Sequence, residues 1–267
     1  MQLKDLVGID LGTQEINYTD RDVILYALSV GASTEQIDLV YERDLLALPT
    51  YACALGLWAV EAAGDLGAYD RKRSLHASQR LEMHGAMPTN GPIQTSGRVA
   101  NVWDKGKASL VEIEVSSEVF SATYSIFLPG LGGWGGDRGP SAGGNDQTPE
   151  YNWQSTVATW PDQATLYRLT GDRHPIHIDS EVAKANGFDR PILHGLCTLG
   201  IAGREIAAAI GANPANLREI EAKLAAPVMP GDSIEINAAS DDAGQLWFEA
   251  KVGDTPVLKA GKARFDQ

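Results

Sequence analysis

LPTYACALGLWAVEAAG at 48–64 resembles LHGLCTLGIAGREIAAAIG at 193–211, a faint internal duplication. Aligned at their cysteines, CALGL (53–57) lies over CTLGI (197–201). Both are apolar and Ala-rich, run for about four turns and end near Gly, so each predicts a mostly buried helix. The segments downstream of each helix also repeat. RLEMHGAMPTNGPIQTSGRV (80–99) matches EAKLAAPVMPGDSIEINAAS (221–240), a strand, a Pro/Gly turn and a strand. DKGKASLVEIEV (104–115) matches DDAGQLWFEAKV (241–252), each a charged turn and then the alternation of a strand with one buried face. FSATYSIFL (120–128) and TPVLKAGKARF (255–265) close the two halves. The repeat therefore predicts an α+β architecture: twice over, a long helix followed by an antiparallel meander. One such half alone leaves a sheet face and edges unburied, and two halves can pair.

Between them lies PGLGGWGGDRGPSAGGNDQTPE (129–150), dominated by Gly, Pro and polar residues. This divides the chain into 1–138 for the first half, 139–150 for a linker and 151–267 for the second half. GLGGWGG (130–136) has two readings of equal weight. Glycines around Trp134, Gly135 among them, let backbone approach a ligand closely, or the segment is a packed strand end. Further helices precede each buried one. Thr19 can cap a helix from Asp20 to about Val30, with Asp22 at its third position. Ser180 can cap 181–187, with Gly187 as the stop.

The chain has 267 residues, 43% of them hydrophobic, and a formal net charge of −13. That balance argues against a nucleic-acid or anionic-membrane binder, both of which need basic surface. The two cysteines, Cys53 and Cys197, sit inside the apolar repeats and read as buried thiols rather than a disulfide framework or a zinc motif. With no basic-then-apolar leader, no long apolar run and no peroxisomal tripeptide at the end, the expected home is the cytoplasm. VGIDLGT (7–13) imitates the first phosphate loop of the sugar-kinase and actin ATPases, but no further nucleotide motif accompanies it.

The chemistry concentrates in YRLTGDRHPIHID (167–179). Asp172 and His177 are five apart, roughly 140° around a regular helix, so they converge only if the chain turns between them. Pro175 biases His174 away from the helical region and makes that turn. An Asp and a His at one reversal can handle a proton and a water near neutral pH. The plainer readings are an Asx-turn for Asp172 and a satisfied core imidazole for His177. Asp172, His174, His177 and Asp179 also have the side-chain types of metal ligands, a minority reading against no metal at all. Downstream, DRPILHGLCTLG (189–200) opens the second buried helix, where early N–H groups lack internal partners. The N–H of Gly195 can donate to a carbonyl oxygen that gains charge during reaction. Otherwise Gly195 serves only close packing. His76 and His84 read as structural or substrate-adjacent.

YRLTGDRHPIHID followed by FDRPILHGLCTLG resembles the signature of the MaoC-like hydratases, also called enoyl-CoA hydratase 2. LHASQRLEMHGAMPTNG (75–91) and SIFLPGLGGWGG (125–136) resemble the amino-terminal half of their two-domain members. The resemblance implies a double hotdog, each long helix wrapped by an antiparallel sheet and the sheets joined side by side. It implies reversible hydration of a trans-2-enoyl-CoA to a (3R)-3-hydroxyacyl-CoA, in fatty-acid or steroid side-chain metabolism, with no cofactor beyond the CoA carried by the substrate. Asp172 and His177 match the family's catalytic pair, and Gly195 the donor to the thioester carbonyl. His174 stands where the family usually has Asn, so its water-positioning role requires a neutral imidazole. His194, Trp134, Gly135, Arg190 and Tyr51 are the expected substrate contacts, with Arg190 and Lys184 toward the CoA phosphates. The first half, which lacks the motif, is expected to accommodate the acyl chain. The chain would work alone or pair into a homodimer. The rival expectations are a hotdog acyl-CoA thioesterase, a dehydratase acting on acyl-carrier-protein substrates and a non-catalytic acyl-CoA binder.

Overall fold

The computed structural model describes residues 1–140, 150–241 and 244–266. Most of the expected linker, 141–149, lies outside the described residues. In chain order the first half is β1 (Asp10–Ile16), α1 (Asp20–Ser29), α2 (Ile37–Val40), α3 (Tyr51–Leu55), α4 (Leu57–Asp65), β2 (Leu75–Met83), β3 (Ile93–Asp104), β4 (Ala108–Ser116) and β5 (Phe120–Pro129). The second is β6 (Trp153–Ala158), α5 (Gln163–Tyr167), α6 (Ser180–Ala185), α7 (Gly195–Ile206), β7 (Leu217–Leu224), β8 (Ser233–Ser240), β9 (Leu246–Val252) and β10 (Thr255–Phe265). Short 3-10 turns join several of them.

All ten strands form one antiparallel sheet in the order β1-β3-β4-β5-β2-β7-β10-β9-β8-β6. α3 and α4 pack on the first five strands and α7 on the second five, which is the double hotdog. The alternating burial of β3 and β4 places Val99, Val111, Ile113 and Val115 under the helices, as a period-two strand requires. The two half-sheets meet along β2 and β7, where Arg80 lies opposite Glu221 and Leu81 opposite Ile220. Arg80 and Glu221 are also the residues that the sequence repeat sets over one another. Each strand therefore meets its own counterpart, antiparallel, at the middle of the sheet.

Three sequence expectations change. The simple meander fails for the first strand of each half: β2 pairs with β5 and β7 with β10, rather than with the next strand in sequence. That arrangement leaves β2 and β7 free on their other edges to join the halves. Two edge strands were not anticipated, β1 and β6, and the rejected phosphate-loop mimic supplies the first residues of β1. The first buried helix is not continuous. It breaks at Gly56, because the Tyr124 hydroxyl enters the helix and donates to the Cys53 carbonyl at 2.7 Å. A side chain inserted into the i→i−4 ladder is an established cause of a kink. A Cβ at position 56 would lie 2.3 Å from the Tyr124 oxygen, so the site needs glycine for space.

The capping expectation holds for α1, where the Asp22 carboxylate accepts from the Thr19 N–H at 2.9 Å. For α6 it shifts by one residue. Asp179, not Ser180, is the cap, and it accepts from the N–H groups of Glu181 and Val182. A carboxylate at a helix N-terminus competes well with a hydroxyl for that position. Both cysteines are buried free thiols.

Candidate active site

The reactive turn leaves α5 through a 3-10 turn and reaches Gly171, whose φ of 148° is in the region open to glycine. A Cβ there would sit 3.1 Å from the Ala54 carbonyl, so this loop of the second half rests directly on α3 of the first. The Asp172 Oδ1 accepts from the His174 N–H at 3.1 Å, which is the Asx-turn reading fulfilled. His174 Nδ1 then accepts from the Ile176 N–H at 3.3 Å and caps the 3-10 turn Pro175–His177. These two local bonds curl the chain and bring His177 back to Asp172. His177 Nε2 lies 4.0 Å from Asp172 Oδ2, with the two side chains 10% and 21% exposed.

The tautomer of His177 is set by its other nitrogen. Nδ1 sits 2.8 Å from the Ile192 carbonyl, which can only accept, so Nδ1 carries the proton and Nε2 presents a lone pair toward Asp172. Burial holds the His177 pKa below the usual imidazole value, against the opposing pull of Asp172. Burial works to raise the Asp172 pKa, but the imidazoles of His194 and His177 and the His174 N–H outweigh it and hold it below the usual carboxylate range. At neutral pH the pair is a carboxylate beside a neutral imidazole.

Both groups face a cavity of about 750 Å³. Gly195 borders it as the first residue of α7, where its N–H has no acceptor within the helix. Tyr51, Leu55 and Trp58 from the first half line it together with Leu224 and Val228 from the second. The structure thus brings Asp172, His174, His177, Gly195 and Tyr51 to one space.

Five expected substrate contacts lie elsewhere. His194 is 1% exposed and sits behind His177, ring stacked on ring at 3.6 Å, rather than in the cavity. Trp134 and Gly135 belong to a packed strand end, the other reading of GLGGWGG: Trp134 Nε1 donates to Ser109 Oγ at 2.9 Å and the Gly135 N–H to the Asp104 carboxylate at 2.8 Å. That carboxylate also accepts from Gly106 and Gly133, which holds its pKa down to about 2. Arg190 donates through Nη1 to the Pro230 carbonyl outside the cavity lining, and Lys184 pairs with Glu181.

Three comparisons with known proteins bear on this site. Residues 16–128 match the model of the MFE-2 hydratase 2 N-terminal domain and residues 143–262 that of the MaoC like domain. The chain is 36% identical over 262 residues to 3-hydroxyacyl-thioester dehydratase Y of Mycobacterium tuberculosis, covering 91% of this chain and 89% of that one. The chain belongs to the MaoC-like hydratase 2 family. A second hydratase 2 relative, the probable enoyl-CoA hydratase 2 of Dictyostelium discoideum, is 34% identical over 284 residues, covering 98% of this chain and 96% of that one. The crystal structure of a MaoC-like dehydratase from Phytophthora capsici superposes with a TM-score of 0.89 at 26% identity, over 100% of this chain and 98% of that one.

Within this MaoC-like site, the groups suited to a metal by type are Asp172, His177 and His194, whose ligand atoms lie within 4.8 Å of one another. Their geometry suits an ion poorly. The two imidazoles are stacked only 24° from parallel, so their in-plane lone pairs do not converge on one point. Sequence reasoning leaves His76 between two readings, and the structure places it in the cavity lining. A β-bulge between His76 and Ser78 turns the side chain inward, and bulges carry no reliable sequence mark. His84 lies apart and bonds Ser121 Oγ. Arg71 and Arg173 also border the cavity and were missed, although RKR at 71–73 directly ahead of β2 was a visible signal.

Proposed function

We propose that this protein is a hydro-lyase that adds water reversibly to a trans-2-enoyl-CoA to give a (3R)-3-hydroxyacyl-CoA. The observation that carries the reading is the pairing of His177 Nε2 with Asp172 Oδ2 at 4.0 Å, facing a cavity that the Gly195 N–H also borders. Two acceptors cannot bond each other, and at that distance they are well placed to accept the two protons of one water. In the forward direction His177 Nε2 takes a proton from the water as its oxygen bonds C3 of the substrate. The C2=C3 electron pair moves toward the thioester, and the carbonyl oxygen gains charge against the Gly195 N–H. The imidazolium then returns that proton to C2, which completes the addition and restores neutral His177, with Asp172 orienting the water and balancing the imidazolium while it lasts.

The first half supplies volume. Tyr51, Leu55, Leu57 and Trp58 form an apolar wall suited to the acyl chain. Among the described residues no helix is long and apolar enough to cross a membrane. The cytoplasmic placement and the homodimer are proposals from the sequence reading, tested by fractionation and by light scattering in solution.

Mixing the protein with crotonyl-CoA tests the reaction. Loss of enone absorbance without release of free thiol supports hydration. Free thiol would mean a thioesterase, and binding without either change would mean an acyl-CoA carrier.

A further inference from the structure

His194 is not used by the reaction just described, yet it is tied to both of its acid–base groups. It is the residue before α7 and its Nε2 lies 3.1 Å from the main-chain carbonyl of Asp172, so that nitrogen carries the proton and donates. One ring face stacks on His177 at 3.6 Å and 24°. The ring also packs against buried Tyr167, centroids 4.7 Å apart. Its Nδ1 is buried without a hydrogen-bond partner among the described residues.

We infer that His194 is a positioning residue: a permanently neutral imidazole plate that fixes the Asp172 backbone through its N–H and the His177 ring through its face. The inference rests on the hydration reading for what the two fixed groups do. The contacts divide the work. The hydrogen bond holds the Asx-turn at the height of the α7 N-terminus, and so sets Asp172 against Gly195. The stack closes one face of His177 to water, and burial is the leading cause of that ring's lowered pKa. A protonated His194 would place a second cation 3.6 Å from His177 and add a buried N–H without an acceptor. Burial first, then His177, press the His194 pKa to about 3. The other charged or titratable groups around the two rings are Asp172, His174, Arg168 and Tyr167, whose own pKa burial raises. His76 faces Asp172 from β2 and is itself held neutral by burial, its pKa lowered to about 4.

The first test uses the unmutated protein. Nitrogen-15 NMR of labelled histidines should show His194 as a neutral Nε2–H tautomer that does not titrate between about pH 5 and 8. Titration in that range, or an Nδ1–H tautomer, overturns the inference, and neither result depends on turnover. Two variants separate the contacts. His194→Phe keeps a ring and loses the donor, so kcat should fall about tenfold, the worth of one hydrogen bond, with the acid limb of the pH–rate profile unmoved. His194→Gln keeps a donor and loses the plate, so water reaches His177 and the acid limb should move to higher pH. If both variants lower kcat alike with the same acid limb, or change only the melting temperature, His194 merely fills space and the inference fails.

Discussion

Asp172 Oδ2 and His177 Nε2 stand 4.0 Å apart, while Asp172 Oδ1 is already taken by the His174 N–H at 3.1 Å. The carboxylate thus has one oxygen holding the turn and one facing His177. Asp172→Asn retains an acceptor for the turn and loses the charge beside His177. We expect kcat for crotonyl-CoA hydration to fall about 10²- to 10⁴-fold with an unchanged circular-dichroism melt. A melt lowered in step with activity would return Asp172 to a purely structural role.

His174 departs from the residue usual at its position in the family, and the structure says why the exchange is tolerable. Its Nδ1 caps the 3-10 turn by accepting from the Ile176 N–H, a task an Asn oxygen also performs. His174→Asn should therefore leave kcat within a few-fold and the acid limb of the pH–rate profile in place. An acid limb that moves in this variant would show that His174, rather than His177, controls it.

Stability should decline as pH falls. His194 is buried and His76 partly buried, with folded-state pKa values near 3 and 4, against 6.5 for an ordinary imidazole. Below about pH 6.5 the unfolded chain takes up protons that the folded one refuses, which favours unfolding. The depressed pKa of Asp172 acts in the same direction at lower pH, since its share of stability is lost as pH drops through its folded value. Melting temperature should be flat above about pH 7 and fall steadily from about 6.5 to 4. A melt unaltered across that window would contradict the burial of these imidazoles in neutral form.

The Gly56 break gives a test of packing that does not alter Asp172 or His177 themselves. Tyr124→Phe removes the donor to the Cys53 carbonyl and should cost roughly 1–3 kcal/mol. Gly56→Ala places a methyl 2.3 Å from the Tyr124 oxygen and should cost more. Combining the two relieves that contact, so the double variant should be more stable than Gly56→Ala alone. Strict additivity in a double-mutant cycle of denaturant melts would show that the oxygen does not hold the kink.

The repeat was legible because its signals are local. Apolar runs of helix length, Pro/Gly turns and two-residue alternation each arise from a few neighbouring side chains. Strand order was not, since nothing in Leu75–Met83 alone says that it will pair with Phe120–Pro129 instead of Ile93–Asp104. At the site, the Asp172–His177 turn was readable from Pro175, but the inward aim of His76 depends on a bulge set by tertiary pairing. His194 was misplaced for a related reason. Its sequence neighbours show a helix start and not which face of the ring meets His177.

Arg80 opposite Glu221 has one more consequence. In a dimer of two identical chains joined along this strand, a residue beside the twofold axis must face its own copy. Arginine would oppose arginine, or glutamate glutamate. Joining both units in one polypeptide frees the seam from that constraint, and Arg80 now pairs with Glu219 at 2.8 Å. The same freedom lets one unit carry the Asp172–His177 turn while the other lines the cavity with Tyr51, Leu55 and Trp58. A covalent link between two similarly folded parts is thus what makes specialisation across a pseudosymmetric interface compatible with holding that interface together.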